Sequence, residues 1–299
     1  MPALELLFSG QLLFSALVIG AIYAMIGLGL NLVYGTMRLL NIAHGDLIML
    51  GAYATFWLFT LAELSPIVSL AIAALGAATL GAVAYYGLFR RQLEIPGPVE
   101  RLEANSLLLF FGLSVVVQNL ASLVFTASPR AVPYLDQILD IGGVSMTASR
   151  LLALGVSVAL CIAVALFLRM NIYGLAIKAL IQNREAARIV GVRVERVQAM
   201  SFMIGFGVAG LAGALLSMTE QISPFMGFPF TIAAFIVIIM GGLGNLLGGI
   251  FAGFLLGFVE IYGVVLTTPN ARSIILYGVF VGVLLLRPQG LFGGRRIAR

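Results

Sequence analysis

A chain of 299 residues with 61% hydrophobic content, 10% charged residues and a mean hydropathy of +1.11 has more apolar surface than one water-soluble core can hide. A soluble globular fold is excluded, and an all-α, polytopic transmembrane helix bundle is implied. The net charge of +5 comes from basic residues in a few clusters rather than along a groove, which points away from nucleic acid and toward a bias of Arg and Lys to one membrane face.

At about 20 residues per span, about eight or nine spans fit in one domain over residues 1–299, with broken or re-entrant helices among them. The apolar runs are continuous and lack two-residue alternation, which argues against a β-barrel. Cys161 is the only cysteine and His44 the only histidine, so neither an internal disulfide nor a protein-only structural zinc site is available, and no metal is expected. The first basic residue is Arg38, so the N-terminal segment carries no positive leader.

The first span is expected at about Gln11–Gly35, with Gly20, Ala24 and Gly27 on one face for close packing in lipid. A break follows, TMRLLNIAHGDL, which holds Arg38, Asn41, His44, Gly45 and Asp46 between two apolar runs. A second span is read at Leu47–Leu61 and a third at Pro66–Phe89. The polar, proline-containing stretch Arg90–Glu103 is read as a cytoplasmic connector. A fourth span at Ser106–Phe125 leads to an external loop, residues 128–149, with turn signals at Pro129, Pro133, Asp136, Asp140 and Gly142–Gly143 and room for short strands. Such a surface suits an external partner, and a plain connector is the simpler alternative.

A fifth span at Leu151–Leu168 leads into the charged loop 171–196, which must lie in water between two spans, on the cytoplasmic face. Inside it, Asn183 caps a short helix with Glu185 in its first turn, and Gly191 stands where a C-terminal glycine belongs. Ala186 and Ala187 are small enough for this helix to press into a groove on another protein. A solvated helix that only joins two spans fits the same spacing.

The sixth span is expected at Val197–Met218, and Glu220–Pro229 lies outside. Phe230–Thr267 is too long for one span, and MGGLGNLLGG would break it into two spans, or one re-entrant segment and one span. Gly249, Gly253 and Gly257 form a packing face. A last span at Ser273–Leu286 ends in a cytoplasmic tail with Arg287, Arg295, Arg296 and Arg299, which places the N-terminus outside. The breaks near His44 and near Gly244 look like paired broken helices, whose exposed backbone groups can bind a polar or zwitterionic solute.

ATP hydrolysis by this chain is excluded, because the only lysine, Lys178 in LAIKAL, has no P-loop glycines before it. There is no H-E-x-x-H, no G-x-S-x-G and no second acid to pair with Asp46, so no catalytic residue is assigned. Asn31, Tyr34, Asn41, His44 and Asp46, with Gly244 and Asn245, are candidates for the solute's route. The alternative is that these groups satisfy one another and the freed backbone at the breaks. Glu260, inside an apolar run, is either a proton site or a partner within the bundle.

Three stretches then carry a resemblance: GLNLVYGTMRLLNIAHGDLIMLGAY at Gly29–Tyr53, NREAARIVGV at Asn183–Val192, and RPQGLFG at Arg287–Gly293, with MGGLGNLLGG besides. They resemble the permease subunits of branched-chain amino acid ABC importers. The resemblance implies that Gln182, Asn183, Arg184, Glu185, Ala186, Ala187, Arg188 and Gly191 couple the chain to an ATPase. It also implies a second homologous permease, two cytoplasmic ATPase subunits that hold ATP and Mg, an external substrate-binding protein, no cofactor on this chain, and a bacterial inner-membrane location. The expected cargo is branched-chain or other neutral amino acids. Urea or short amides, or gradient-driven secondary transport, are the alternatives.

Overall fold

The computed structural model describes residues 9–95, 97–126 and 128–293. They form helices α1 (Gly10–Met37), α2 (His44–Ala62), α3 (Pro66–Ala84), α4 (Arg90–Glu94) and α5 (Val99–Phe125). Strands β1 (Ile138–Ile141) and β2 (Val144–Thr147) follow, then α6 (Ala148–Met170), α7 (Ile172–Gln182), α8 (Arg184–Ile189) and α9 (Val194–Leu216). The chain closes with α10 (Gly227–Gly241), α11 (Leu246–Leu266) and α12 (Arg272–Leu286). Eight helical stretches are long and apolar enough to cross a membrane, and α10 is a shorter apolar helix. The chain is a polytopic helical membrane protein.

The connector expected at Arg90–Glu103 is mostly helix. A π-helical turn, Tyr85–Phe89, joins α3 to α4, so that one stretch runs from Pro66 to Glu94, and Glu103 already lies in the second turn of α5. Charge does not end a helix: Arg90 and Glu94 stand one turn apart and pair, which supports the helix as it leaves the apolar layer. The wide turn puts Tyr85 and Phe89 on a buried side while Tyr86 and Leu88 stay exposed. Phe89 stacks on Phe110 at 4.3 Å and meets Phe202 at 5.5 Å, which ties the π-helical turn, α5 and α9 together.

The described residues fall into two compact units. One takes in the chain up to Leu28, Pro133–Cys161 and the chain from Ile232, and the other takes in Gly29–Val132 and Ile162–Thr231. In the second unit α9 is central and almost wholly buried. A side chain at Gly210 would overlap Ala73 and Ala77 of α3, and one at Gly213 would overlap the Ile48 carbonyl of α2. Lipid offers no hydrophobic drive for helices to associate, so these close backbone approaches supply the packing.

The first unit uses the same device. Gly253 and Gly257 of α11 lie against the backbone of Ala24 and Gly20 of α1. Gly253→Leu is therefore expected to lower membrane abundance, since overpacking costs about 1–3 kcal/mol or more. Normal abundance with lost transport would instead assign Gly253 to a pore. In the same unit β1 and β2 pair antiparallel, and Gly142 and Gly143 turn the chain with φ of +61° and +81°. This two-residue turn matches the twist of the strands, so the expected external loop does contain short strands.

Candidate functional site

The polar break in the sequence becomes a non-helical segment, Arg38–Ala43, that joins α1 to α2 inside the second unit. Its course is fixed by α5. Tyr34 Oη donates to Glu103 Oε1 at 2.9 Å, Leu40 N donates to Ser106 Oγ at 3.0 Å, Gln118 Nε2 donates to Asp46 Oδ1 at 2.8 Å, and Tyr53 stacks on Phe125. From Ser106 to Gln118, α5 rises roughly 18 Å at 1.5 Å per residue. The chain thus doubles back along α5, and α2 starts deep within the bundle rather than at its edge. Non-helical backbone at such depth is tolerated only where protein or a cavity covers it.

The buried N-terminus of α2 meets another helix start. Gly45 N donates to Thr231 Oγ1 at 2.8 Å, Thr231 Oγ1 donates to the Ile42 carbonyl at 3.3 Å, and Gly45 and Gly227 touch backbone to backbone. The His44 break thus meets the beginning of α10.

Five sequence candidates belong to this unit. Asn31, Asn41 and His44 are fully buried, and Tyr34 and Asp46 nearly so. Tyr34 spends its hydroxyl on Glu103 and Arg38, whose guanidinium also lies over its ring at 5.3 Å. Asn41 is different: among the described residues neither side-chain atom has a hydrogen-bond partner, and the same holds for Asp46 Oδ2. Buried polar atoms in that condition cost about 1–3 kcal/mol each, so a chain that keeps them has a use for them.

Gly244 and Asn245 belong to the first unit and hold structural posts there. Gly244 has φ of +83°, and Asn245 caps α11 by accepting from Gly248 N at 3.0 Å. Asn245 Nδ2 also donates to the Phe292 carbonyl at 2.7 Å, and Leu291 N donates to the Met240 carbonyl at 2.6 Å. The glycine motif and RPQGLFG, far apart in sequence, thus form one joint. The arginines Arg295, Arg296 and Arg299 lie outside the described residues.

The charged loop 171–196 folds as its spacing predicts. Asn183 Oδ1 accepts from Ala186 N at 3.0 Å. Gly191, at φ of +87°, closes α8 with bonds from Gly191 N to Arg188 O and from Val192 N to Ala187 O. This is the paired-bond C-terminus that favours glycine. Gln182 and Ala186 are exposed and Ala187 is buried in its own chain, so only one of the two alanines faces outward. The apolar end of the helix, Ile189 and Val190, is 85% and 77% exposed.

Arg184 is half-buried and donates to the Leu93 carbonyl at 3.4 Å. Its burial, and then the charge of Arg188, push its pKa below the ordinary arginine value. Sequence reasoning missed Gln118, Ser106 and Thr231 as partners of the break. Gln118 was visible, with Asn119, as one of two polar residues in VVVQNL. Among the described residues no cluster of three His, Cys, Asp or Glu side chains could hold a metal.

The family model described as "Branched-chain amino acid transport system / permease component" matches residues 12–284. The permease protein BraD of the high-affinity branched-chain amino acid transport system of Pseudomonas aeruginosa is 27% identical, with 95% of each chain covered. The corresponding LivH of Escherichia coli K12 is 27% identical over 97% of each chain, and LivM of the same organism is 27% identical over 90% of this chain and 67% of its own. A chain in the structure of PsaBC from Streptococcus pneumoniae in complex with Fab has the same fold, with a TM-score of 0.52 over 96% of each chain at 11% identity. The buried break, the capped helix α8 and the match along nearly the whole length agree, and the chain belongs to the family of permease components of branched-chain amino acid transport systems.

Proposed function

We propose that this chain is the membrane-spanning permease subunit of an ATP-driven ABC importer that carries branched-chain or other neutral amino acids into the cytoplasm. The observation that carries this reading is α8, a helix of six residues with a cap at each end and a bare apolar tip. Among the described residues nothing covers Ile189 and Val190, and an apolar tip in a polar loop suits a groove on an ATPase. Each of two cytoplasmic ATPases holds its own ATP and Mg, and this chain contributes no cofactor. A second homologous permease and an external substrate-binding protein complete the assembly, in an inner membrane with this chain's C-terminus in the cytoplasm and its N-terminus outside.

In this reading Asn41 and Asp46, held at the start of α2, offer their unused polar atoms to the passing solute, with Asn31, Tyr34 and His44 around them. Half-helix ends within a bundle are suited to zwitterionic solutes. Asn41→Leu is expected to leave abundance unchanged or raised, since it removes two unmet polar atoms, yet to cut uptake at least about tenfold. Undiminished uptake in that variant would return Asn41 to a purely structural post.

The deciding experiment is uptake by the reconstituted assembly with leucine, other neutral amino acids, urea and short amides as competing solutes. Uptake of leucine that requires ATP and survives an uncoupler is the expected result. Uptake that an uncoupler abolishes while ATP remains would establish gradient-driven transport, and preference for urea or an amide would change the cargo.

A further inference from the structure

Beside α8 the second unit holds a cavity of about 500 Å³, of the size that ordinary small-molecule sites have. It lies between α8, the α3–α4 junction and the first turns of α9, and none of the polar groups described above as the solute's route lines it. Three arginines (Arg90, Arg184, Arg188) and three glutamates (Glu94, Glu185, Glu195) share its lining. Equal charge makes the cavity a poor host for a net ion and a good one for a molecule with both signs.

The charges are not evenly spent. Arg90 is committed to Glu94 and Glu195, each at 3.2 Å. Arg184 and Arg188 stand one turn apart on α8. Arg184 donates to a neutral carbonyl, and the nearby Arg188 charge adds to the cost that half-burial puts on its guanidinium. A carboxylate between them relieves both. Glu94 and Glu195, in the same lining, each use one oxygen on Arg90, which leaves the others for an ammonium group. The floor is the Tyr85 hydroxyl, which donates to Gln198 Oε1 at 3.4 Å, and Leu93 and Ile95 supply an apolar wall.

We propose that this cavity binds a free neutral α-amino acid with an apolar side chain from the cytoplasm, and that the bound amino acid restrains α8. The inference rests on the reading of α8 as the coupling helix and adds its regulation. Carboxylate, ammonium and side chain each find a matching wall. A molecule held between α8 and the α3–α4 junction ties the coupling helix to the bundle, so the motor's stroke is opposed when product has accumulated. By reciprocity, docking of the ATPase for a stroke weakens binding of the amino acid.

The test uses proteoliposomes that carry the complete importer with its ATPases inside, ATP inside, and the binding protein with labelled leucine outside. L-leucine preloaded inside is expected to slow both initial uptake and ATP hydrolysis at least about fivefold. Leucinamide, which lacks the carboxylate, and 4-methylpentanoate, which lacks the ammonium group, are expected to have no such effect. Tyr85→Phe and Ile95→Asp are expected to keep the uninhibited rate and to need at least about tenfold more internal leucine for the same inhibition. Full uptake that ignores internal leucine, equal inhibition by 4-methylpentanoate alone, or inhibition unchanged in both variants would overturn the proposal while leaving the importer reading intact. Absence of ATP-dependent uptake without internal leucine would overturn the importer reading itself, and this inference with it.

Discussion

Ile189→Asp is expected to abolish coupled uptake, by more than about tenfold, while the permease inserts and accumulates as before. The two halves of that expectation have different physical sources. Ile189 is 85% exposed, so the chain's own fold is nearly indifferent to the change, within about 0.5 kcal/mol for an ordinary surface site. In an apolar groove of an ATPase the new carboxylate would have to be dehydrated without a partner, which costs about 2 kcal/mol at the least, and 1.4 kcal/mol is already a factor of ten in affinity. Gly191→Val acts on the same helix from behind: at φ of +87° a β-branched residue is strained, and the bonds that close α8 loosen. Its effect is smaller, because the apolar tip survives. Glu185→Gln is smaller again, since it removes only the favourable charge in the first turn, about 0.3–1 kcal/mol. The measurements are membrane abundance, retention of ATPase on the purified permease, and uptake. Wild-type uptake in Ile189→Asp would remove α8 from the coupling role.

This helix was readable in the sequence because everything that shapes it is local. Asn183 reaches Ala186, and Gly191 reaches Arg188, within one turn. The spans were legible for a related reason, since apolar length is a property of the chain and not of its neighbours. Helix ends were less so. Arg90–Glu103 looked like a connector, yet its charges ride on helices that continue past the apolar layer.

Least legible were the partners of buried polar groups. Asp46 accepts its hydrogen bond from Gln118 and Gly45 donates its own to Thr231, across 72 and 186 residues. Sequence shows that such a group needs a partner but not where the partner stands. The same limit explains Gly244 and Asn245. Their glycine pattern invited comparison with the His44 break, while the contacts of the glycine motif, Asn245 with Phe292 and Met240 with Leu291, came from a motif whose role had no local sign. The Tyr23–Glu260–Arg272 cluster was half visible: Glu260 stood out in its apolar run, and its two partners did not.

That cluster supplies an asymmetric prediction. Tyr23 Oη donates to Glu260 Oε2 at 2.6 Å, the Arg272 guanidinium pairs with Oε1, and Arg272 also reaches the Tyr23 hydroxyl. The carboxylate is only 2% exposed, whereas the Arg272 side chain is 46% exposed. Arg272→Met therefore strands a buried charge and is expected to cost about 3–5 kcal/mol, or to force a proton onto Glu260. Glu260→Gln leaves the guanidinium partly in water and still accepts from Tyr23, so its cost is about 1 kcal/mol, in line with a single hydrogen bond between membrane helices. Removing both charges, with Glu260→Met and Arg272→Met together, is expected to recover most of the loss, because an apolar pair of similar volume replaces a desolvated ionic one. Thermal unfolding in detergent should rank wild type first, then Glu260→Gln, then the double variant, whose buried Tyr23 hydroxyl loses both partners, with Arg272→Met last. ATP-driven uptake should follow the same order, since the pair acts through packing. A Glu260→Gln protein of full stability that has lost transport would break that link between stability and uptake, and would make Glu260 a proton carrier instead of an anchor.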